Sequence, residues 1–350
     1  MEKETTIYDI ARHLKLSPAT VSRALNDHPA INSDTKSMIT ATARQMGYRA
    51  NTFASNLRRQ RTNTLGVIVP RLNSSFMSAV LAGMEKVANE ASYNLIISQS
   101  LESFKKEIAN TRTMFNSRVD GLLVSVTYDT DSTDHFETFI EKGIPVLFFD
   151  RVMPHRHCAS IVIDNQKAGA EAVNHLIDQG CRRIVHVTGS LKRNVYAERL
   201  AGYRQALLQH GLPFDESLVM VTDLSQEAGL QAAQRIAQMS ERPDGLFVTN
   251  DFCAVSCLRE LKKRGFRVPG DLAVVGFNDD PIAQVVEPAL SSVHYPGEKM
   301  GEVAAQTLIN HLNGLLNIRT TNRIVLHSEL IVRESSVRDR NAPPAPHGHG

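Results

Sequence analysis

Leu16-Ser17-Pro18-Ala19-Thr20-Val21-Ser22-Arg23-Ala24-Leu25-Asn26 is the stretch of this 350-residue chain that decides its reading. Ser17 suits an N-cap, because its side-chain oxygen can accept from the orphan amides of a first helical turn. Pro18 has its φ preset for the next position. Val21, Ala24 and Leu25 recur at i, i+3 and i+4 and so share one helix face. Pro18, Ala19, Ser22 and Arg23 are left on the other side. Asn26-Asp27-His28-Pro29 then breaks the helix.

Upstream, Thr6 and Asp9 have the spacing of a capping box ahead of Ile10 and Ala11, which predicts a helix from 7 to about 14. Downstream, Asn32 can cap a third helix over 33–46, with Gly47 ending it as a left-handed C-cap residue. Two short helices joined by a tight turn, with a small polar and basic outer face, make a helix-turn-helix. The second helix of such a unit enters a major groove N-terminus first, so its leading residues must be short or able to reach base edges. Ser17, Thr20 and Ser22 can bond phosphates or bases, and Arg23 suits guanine or phosphate. A plain three-helix bundle has the same apolar spacing; the outward face is what favours DNA.

Charge agrees with that division. Residues 1–61 hold ten Lys/Arg against five Asp/Glu, whereas the remainder holds 29 against 32. A small basic head on a mildly acidic body is the pattern of a polyanion reader joined to a neutral sensor or enzyme. No apolar run approaches the roughly 18 residues that span a bilayer, and no apolar secretory segment opens the sequence, so a cytoplasmic protein without membrane contact is expected. Four cysteines fit a reducing compartment. Cys253 and Cys257 share a helix face, but further ligands are not in view, and no metal or cofactor is expected.

From residue 64 the texture changes. Segments 64–70, 93–100, 121–126 and 145–150 read as strands, and 183–188, 218–222, 245–250 and 273–278 form a second set, with helices between. Alternation at this spacing means parallel sheets covered on both faces. The expected fold is an all-α helix-turn-helix head followed by an α/β body of two Rossmann-like lobes with a cleft between them. Ligands of open α/β sheets sit beyond the carboxyl ends of strands. Asn73, Ser75, Asp150, Arg193, Arg199, Asn250, Asp251, Asn278 and Asp279 are placed there. No glycine-rich phosphate loop follows a strand, and no Ser/His/Asp constellation stands out, so an enzyme is not expected.

The run Ala19-Thr20-Val21-Ser22-Arg23, with Thr6-Ile7-Tyr8-Asp9-Ile10-Ala11 before it and Met46-Gly47-Tyr48-Arg49-Ala50-Asn51 after it, resembles the lactose-repressor/galactose-repressor (LacI/GalR) family. The likeness continues along nearly the whole chain. It implies a head over 1–50, a hinge helix and linker over 51–61, and a two-lobed effector-binding and dimerisation domain over 62–338; the tail over 339–350, rich in Pro, Gly and His, is expected to be disordered. It implies operator contacts by Thr6, Ser17, Pro18, Ala19, Thr20, Ser22, Arg23 and Asn26. It also implies a hinge in which Asn51, Ala54, Leu57 and Arg58 meet DNA, with Leu57 wedged into the minor groove.

The family's sensor domain resembles periplasmic sugar-binding proteins. Carried over, its effector positions are Asn73, Ser75, Phe76, Asp150, Arg193, Arg199, Leu224, Asn250 and Asn278. Two depart from the family pattern: Asn278 stands where Asp is usual, and Leu224 where an aromatic is frequent. Both point away from the best-known effectors. Other roles stay open beside ligand contact: Asp150 as a turn cap, Arg199 as partner of a helix carboxylate, Asn250 and Asp251 as helix caps. The resemblance implies a homodimeric repressor of a carbohydrate-use operon on a palindromic double-stranded DNA operator. Its small-molecule effector would be a sugar or sugar phosphate. A nucleobase or nucleoside effector, or activation, is the alternative.

Overall fold

The computed structural model describes residues 5–48, 61–320 and 323–338. They separate into two compact units divided between Thr62 and Asn63. The expected hinge contacts Asn51, Ala54, Leu57 and Arg58, and the expected tail over 339–350, lie outside the described residues.

The described residues of the first unit form three helices, α1 (Ile7–Leu14), α2 (Pro18–Leu25) and α3 (Ser33–Gln45). Each begins where its capping chemistry places it. The Thr6 amide donates to Asp9 Oδ2 at 3.0 Å, the Thr20 amide to Ser17 Oγ at 3.0 Å, and the Thr35 amide to Asn32 Oδ1 at 2.8 Å. The third helix stops at Gln45, one residue short of the expected end, with Met46 as C-cap and Gly47 left-handed beyond it. Ile10, Val21 and Ile39 are fully buried at the centre, one from each helix.

The second unit holds two six-stranded sheets. The first contains β1 (Thr64–Val69), β2 (Asn94–Gln99), β3 (Gly121–Val124), β4 (Val146–Phe149), β5 (Ala159–Ile163) and β11 (Arg323–Leu326), in the order β11-β5-β4-β3-β1-β2. The second contains β6 (Ile184–Thr188), β7 (Val219–Val221), β8 (Gly245–Val248), β9 (Ala273–Asn278), β10 (Ser291–His294) and β12 (Glu329–Ile331), in the order β12-β10-β9-β8-β6-β7. All neighbours are parallel except β10 and β12. The helices are α4 (Ser75–Glu90), α5 (Phe104–Asn116), α6 (Asp134–Glu141), α7 (Asn165–Asp178), α8 (Asn194–Gln209), α9 (Gln226–Ala237), α10 (Asp251–Lys263), α11 (Ile282–Val285) and α12 (Gly297–Leu312).

Two consecutive sets of strands do not describe this body fully. β5, β10, β11 and β12 escape the sequence reading, and the chain passes between lobes three times, after β5, β10 and β11. Thus α12 and β11, late in the chain, complete the first lobe. Here α12 lies close along α4: a Cβ on Gly301 would stand 1.9 Å from the Val80 carbonyl oxygen, and one on Gly83 2.0 Å from that of Glu298. The second lobe repeats the device where α7 crosses α8, at Gly169 and Gly202. Cys253 and Cys257 are core residues of α10.

Candidate functional site

A cavity of about 370 Å³ lies between the lobes, at the carboxyl ends of their strands. Four of its lining residues, Glu102, Asp150, Leu224 and Asn278, are non-glycine residues with positive φ, at 58°, 57°, 58° and 121°. Backbone held in such sparsely populated regions is characteristic of ligand clamps, where surrounding packing over-determines it.

Asp150 follows β4 and is buried. Its Oδ1 accepts from the Tyr295 hydroxyl at 2.9 Å and its Oδ2 from Ser125 Oγ at 3.1 Å. Tyr295 in turn stacks on Phe76, with centroids 4.2 Å apart, and burial pushes its phenol well above the ordinary tyrosine value. Opposite, Arg199 of α8 lies 3.6 Å above the Phe277 ring; its Nε donates to Asn165 Oδ1 at 2.9 Å and its Nη1 to the Thr249 carbonyl at 3.3 Å. Burial lowers the pKa of this guanidinium. Arg199 Nη2 has no hydrogen-bond partner among the described residues.

A second cation forms another wall. Arg151 Nη1 donates to both oxygens of Glu102, at 3.0 and 2.9 Å, and its guanidinium sits 4.2 Å from the Tyr128 ring centroid. The Tyr128 and Tyr196 hydroxyls meet at 3.2 Å, joining the first lobe to the second. Arg71 stands 3.6 Å from Glu102, and Asp223, Ser225 and Phe252 complete the rim.

Of the expected effector residues, Asn73, Phe76, Asp150, Arg199, Leu224, Asn250 and Asn278 come together here. Asn250 also caps α10, accepting from the Cys253 amide at 3.0 Å, so both readings of it hold geometrically. Asn278 Nδ2 donates to Asp280 Oδ2 at 3.2 Å, which gives the amide at this position a use that a carboxylate lacks. Two expectations are corrected. Ser75, the first residue of α4, does not line the cavity itself but a neighbouring depression beside Asp279 and Glu298, which shares Phe76, Asn278 and Tyr295 with the cavity. Arg193 does not line the cavity: its Nη2 donates to the Thr130 carbonyl at 2.7 Å, so the side chain is spent on the first lobe.

Sequence reasoning missed Arg71, Glu102, Tyr128, Arg151, Tyr196 and Tyr295. Arg151 and Tyr128 had a usable signal, being polar or aromatic within a few residues of a strand end. Tyr295 follows β10, a strand that the sequence reading overlooks.

On the head, Thr6, Ser17, Ala19, Arg23 and Asn26 are exposed, and Pro18, Thr20 and Ser22 half-buried. Ser17 Oγ and Thr20 Oγ1 are 2.8 Å apart, and Asn26 Nδ2 donates to the Ser22 carbonyl at 2.8 Å. Their polar atoms are therefore partly preorganised around the start and end of α2. Tyr8, 64% exposed on α1, adds an aromatic that the sequence reading did not use.

Residues 6–51 match the family described as bacterial regulatory proteins, lacI family, and residues 173–336 match a periplasmic binding protein-like domain. Catabolite control protein A of Priestia megaterium is 32% identical over 309 residues, covering 88% of this chain and 92% of that protein. The chain belongs to the LacI family. This LacI-family protein is a DNA-binding transcription regulator. The ribose operon repressor of Haemophilus influenzae is 29% identical, with 94% of this chain and 98% of that one covered. Among solved structures, a complex of the transcriptional regulator CelR with cellobiose matches with a TM-score of 0.72 at 28% identity, over 95% of this regulator and all of that chain. The lac repressor dimer bound to operator and the anti-inducer ONPF shares the fold, with a TM-score of 0.86 at 22% identity, over 96% of this chain and all of that one. Among the described residues, no helix is long and apolar enough to cross a membrane.

Proposed function

We propose that this regulator is a cytoplasmic, non-enzymatic repressor of a carbohydrate-use operon. It binds a palindromic operator as a homodimer and responds to a sugar held in the interlobe cavity. The observation that carries the ligand assignment is the pairing of Asp150 and Arg199 in one buried cavity. A carboxylate accepts from vicinal hydroxyls, and a guanidinium fork donates to them. Arg199 keeps Nη2 unspent, while Asp150 is oriented by Tyr295 and Ser125. The cavity volume lies within the ordinary range for small ligands. That the CelR relative was solved with cellobiose supports a saccharide. Two-fold protein symmetry calls for a matching symmetry in the operator. Thr6, Ser17, Pro18, Ala19, Thr20, Ser22, Arg23 and Asn26 are the proposed base and phosphate contacts. Asn51, Ala54, Leu57 and Arg58 are the proposed hinge contacts.

Mobility shifts on the upstream region of the regulator's own operon, run with neutral mono- and disaccharides and their phosphates, test this. Arg23→Ala should weaken binding and flatten its salt dependence by about one unit of log–log slope. Arg199→Lys should bind operator normally but lose the response to the saccharide that moves the wild type. Operator affinity indifferent to both salt and Arg23→Ala would sink the DNA assignment. An unchanged response in Arg199→Lys would sink the ligand site.

A further inference from the structure

Where the two lobes meet, one short segment of the second makes a dense set of ties to the first. Lys192 Nζ reaches Asp131 Oδ1 at 3.1 Å, and Arg193 Nη2 donates to the Thr130 carbonyl at 2.7 Å. Asn194 accepts from the Val152 amide at 2.9 Å and donates to the Asp150 carbonyl at 3.1 Å. Tyr196 then accepts from Arg151 Nη2 at 3.2 Å. Arg199, one turn further along α8, faces the cavity. The start of α8 therefore carries both the fastening between lobes and the ligand-facing cation.

Among these ties Arg193 is anomalous. Among the described residues of the body three arginines are buried: Arg151, Arg193 and Arg199. Arg151 is matched by Glu102. Arg199 borders the cavity, where a ligand can meet it. Arg193 has neither. It is 3% exposed, its other contact is Met153 Sδ at 3.4 Å from Nη1, and its buried Nε has no hydrogen-bond partner. It forms no ion pair among the described residues. The carboxylates nearest in charge are Glu107, Asp129 and Asp131, with Arg151 opposing them. Glu107 is already bonded by the Thr127 amide, Thr130 Oγ1 and His135 Nε2. Asp129 holds Thr127 Oγ1 and the Phe104 amide. Asp131 is taken by Lys192.

We infer that Arg193 is a positioning residue that opposes closure: its buried, unmatched guanidinium raises the free energy of the closed lobes, so that a bound effector has a real equilibrium to shift. A charge taken from water without a counter-ion costs more than one carbonyl and a thioether return. When the lobes part, Thr130 and Met153 withdraw and the guanidinium meets solvent. The remaining ties favour closure, so Arg193 keeps the two states comparable in energy, as a ligand-driven switch requires. The inference rests on the proposed cavity function, since only a ligand of that cavity gives the balance a use.

The test uses the full chain without ligand or DNA. Spin labels at Lys142→Cys and Lys263→Cys, one in each lobe and both exposed, report the interlobe distance in protein diluted with unlabelled chain. The native cysteines are buried. Arg193→Met replaces the charge with a side chain suited to lie beside Met153, and should raise the closed-to-open ratio about fivefold or more. Arg193→Lys keeps the charge and should stay within about twofold of the wild type. A ratio unchanged or lowered in Arg193→Met overturns the proposal, as does a rise of equal size in Arg193→Lys. Thermal unfolding confirms that each variant is folded, and Arg193→Leu replaces Arg193→Met if that one is not. Neither sugar nor operator enters this measurement, so its failure leaves the proposed function standing. Failure of sugar or operator binding likewise leaves the distance result intact.

Discussion

The Tyr295 hydroxyl donates a hydrogen bond to Asp150 Oδ1 at 2.9 Å, and the two residues lie 145 positions apart in sequence. Tyr295 sits just past β10, where the chain returns to the first lobe. The crossing segment thus orients the carboxylate at the cavity floor. In Tyr295→Phe the ring can still stack on Phe76, but Asp150 Oδ1 loses its donor while buried. Stability to urea should fall by about 1–3 kcal/mol. A change below ~0.5 kcal/mol would show that the bond does not hold the carboxylate.

Gly301 and Gly83 let α12 and α4 touch backbone to backbone. Gly301→Ala forces a methyl into the Val80 carbonyl, and helix separation should cost about 1–3 kcal/mol or more. Gly270→Ala is the control: its Cβ would meet its nearest neighbour at 3.5 Å, so a change within ~0.5 kcal/mol is expected. Equal effects at the two sites in chemical unfolding would contradict the close approach.

His186 lies fully buried between Tyr203 and Phe247, ring on ring, with neither nitrogen hydrogen-bonded. Burial lowers its pKa to about 3. The folded value lies below the unfolded one, about 6.5. Stability tied to this residue is therefore whole above pH ~6.5 and drains away as pH falls toward 3, because the unfolded chain takes up a proton that the folded one refuses. His186→Phe preserves the stack and removes two unsatisfied atoms. It should flatten the stability profile over that window and match or exceed the wild type by ~1 kcal/mol at neutral pH. An unflattened profile would exclude His186 as its source.

Asn278→Asp sets a carboxylate against Asp280. Burial already raises Asp280 to about 6, with the Asn278 hydrogen bond working against that rise. The substitution replaces the donor with a like charge. It should destabilise the body by about 1–3 kcal/mol at pH 8 and by much less at pH 5, where the pair can share a proton. Urea midpoints at the two pH values decide it; a loss independent of pH would point to packing instead.

The head was legible because its signals are local: Ser17, Asn32 and the Thr6–Asp9 pair each act within three residues. The central strands were legible as short apolar runs, and β3 and β4 are buried throughout. β10, β11 and β12 are three or four residues long, and β11 and β12 pair at sheet edges with partners distant in sequence, leaving little periodicity to detect. β5 is only five residues long. The strand-end rule found Asp150, Asn73 and Asn250 because backbone direction places them. It misplaced Arg193, because the sequence cannot say which lobe a side chain at the start of α8 will choose. Tyr295 needed β10 to be seen first.

The three passages between lobes constrain how this chain can be made. On the ribosome, β1 through β5 emerge long before α12 and β11, so the first sheet waits with one edge strand unpaired and the groove beside α4 uncovered until residue 326 has been translated. The second lobe also waits for β12. A nascent chain released a few dozen residues early would thus present two incomplete sheets rather than one finished lobe, a state prone to aggregation or capture by chaperones. The two lobes of this sensor receive their last strands almost together, at β11 and β12.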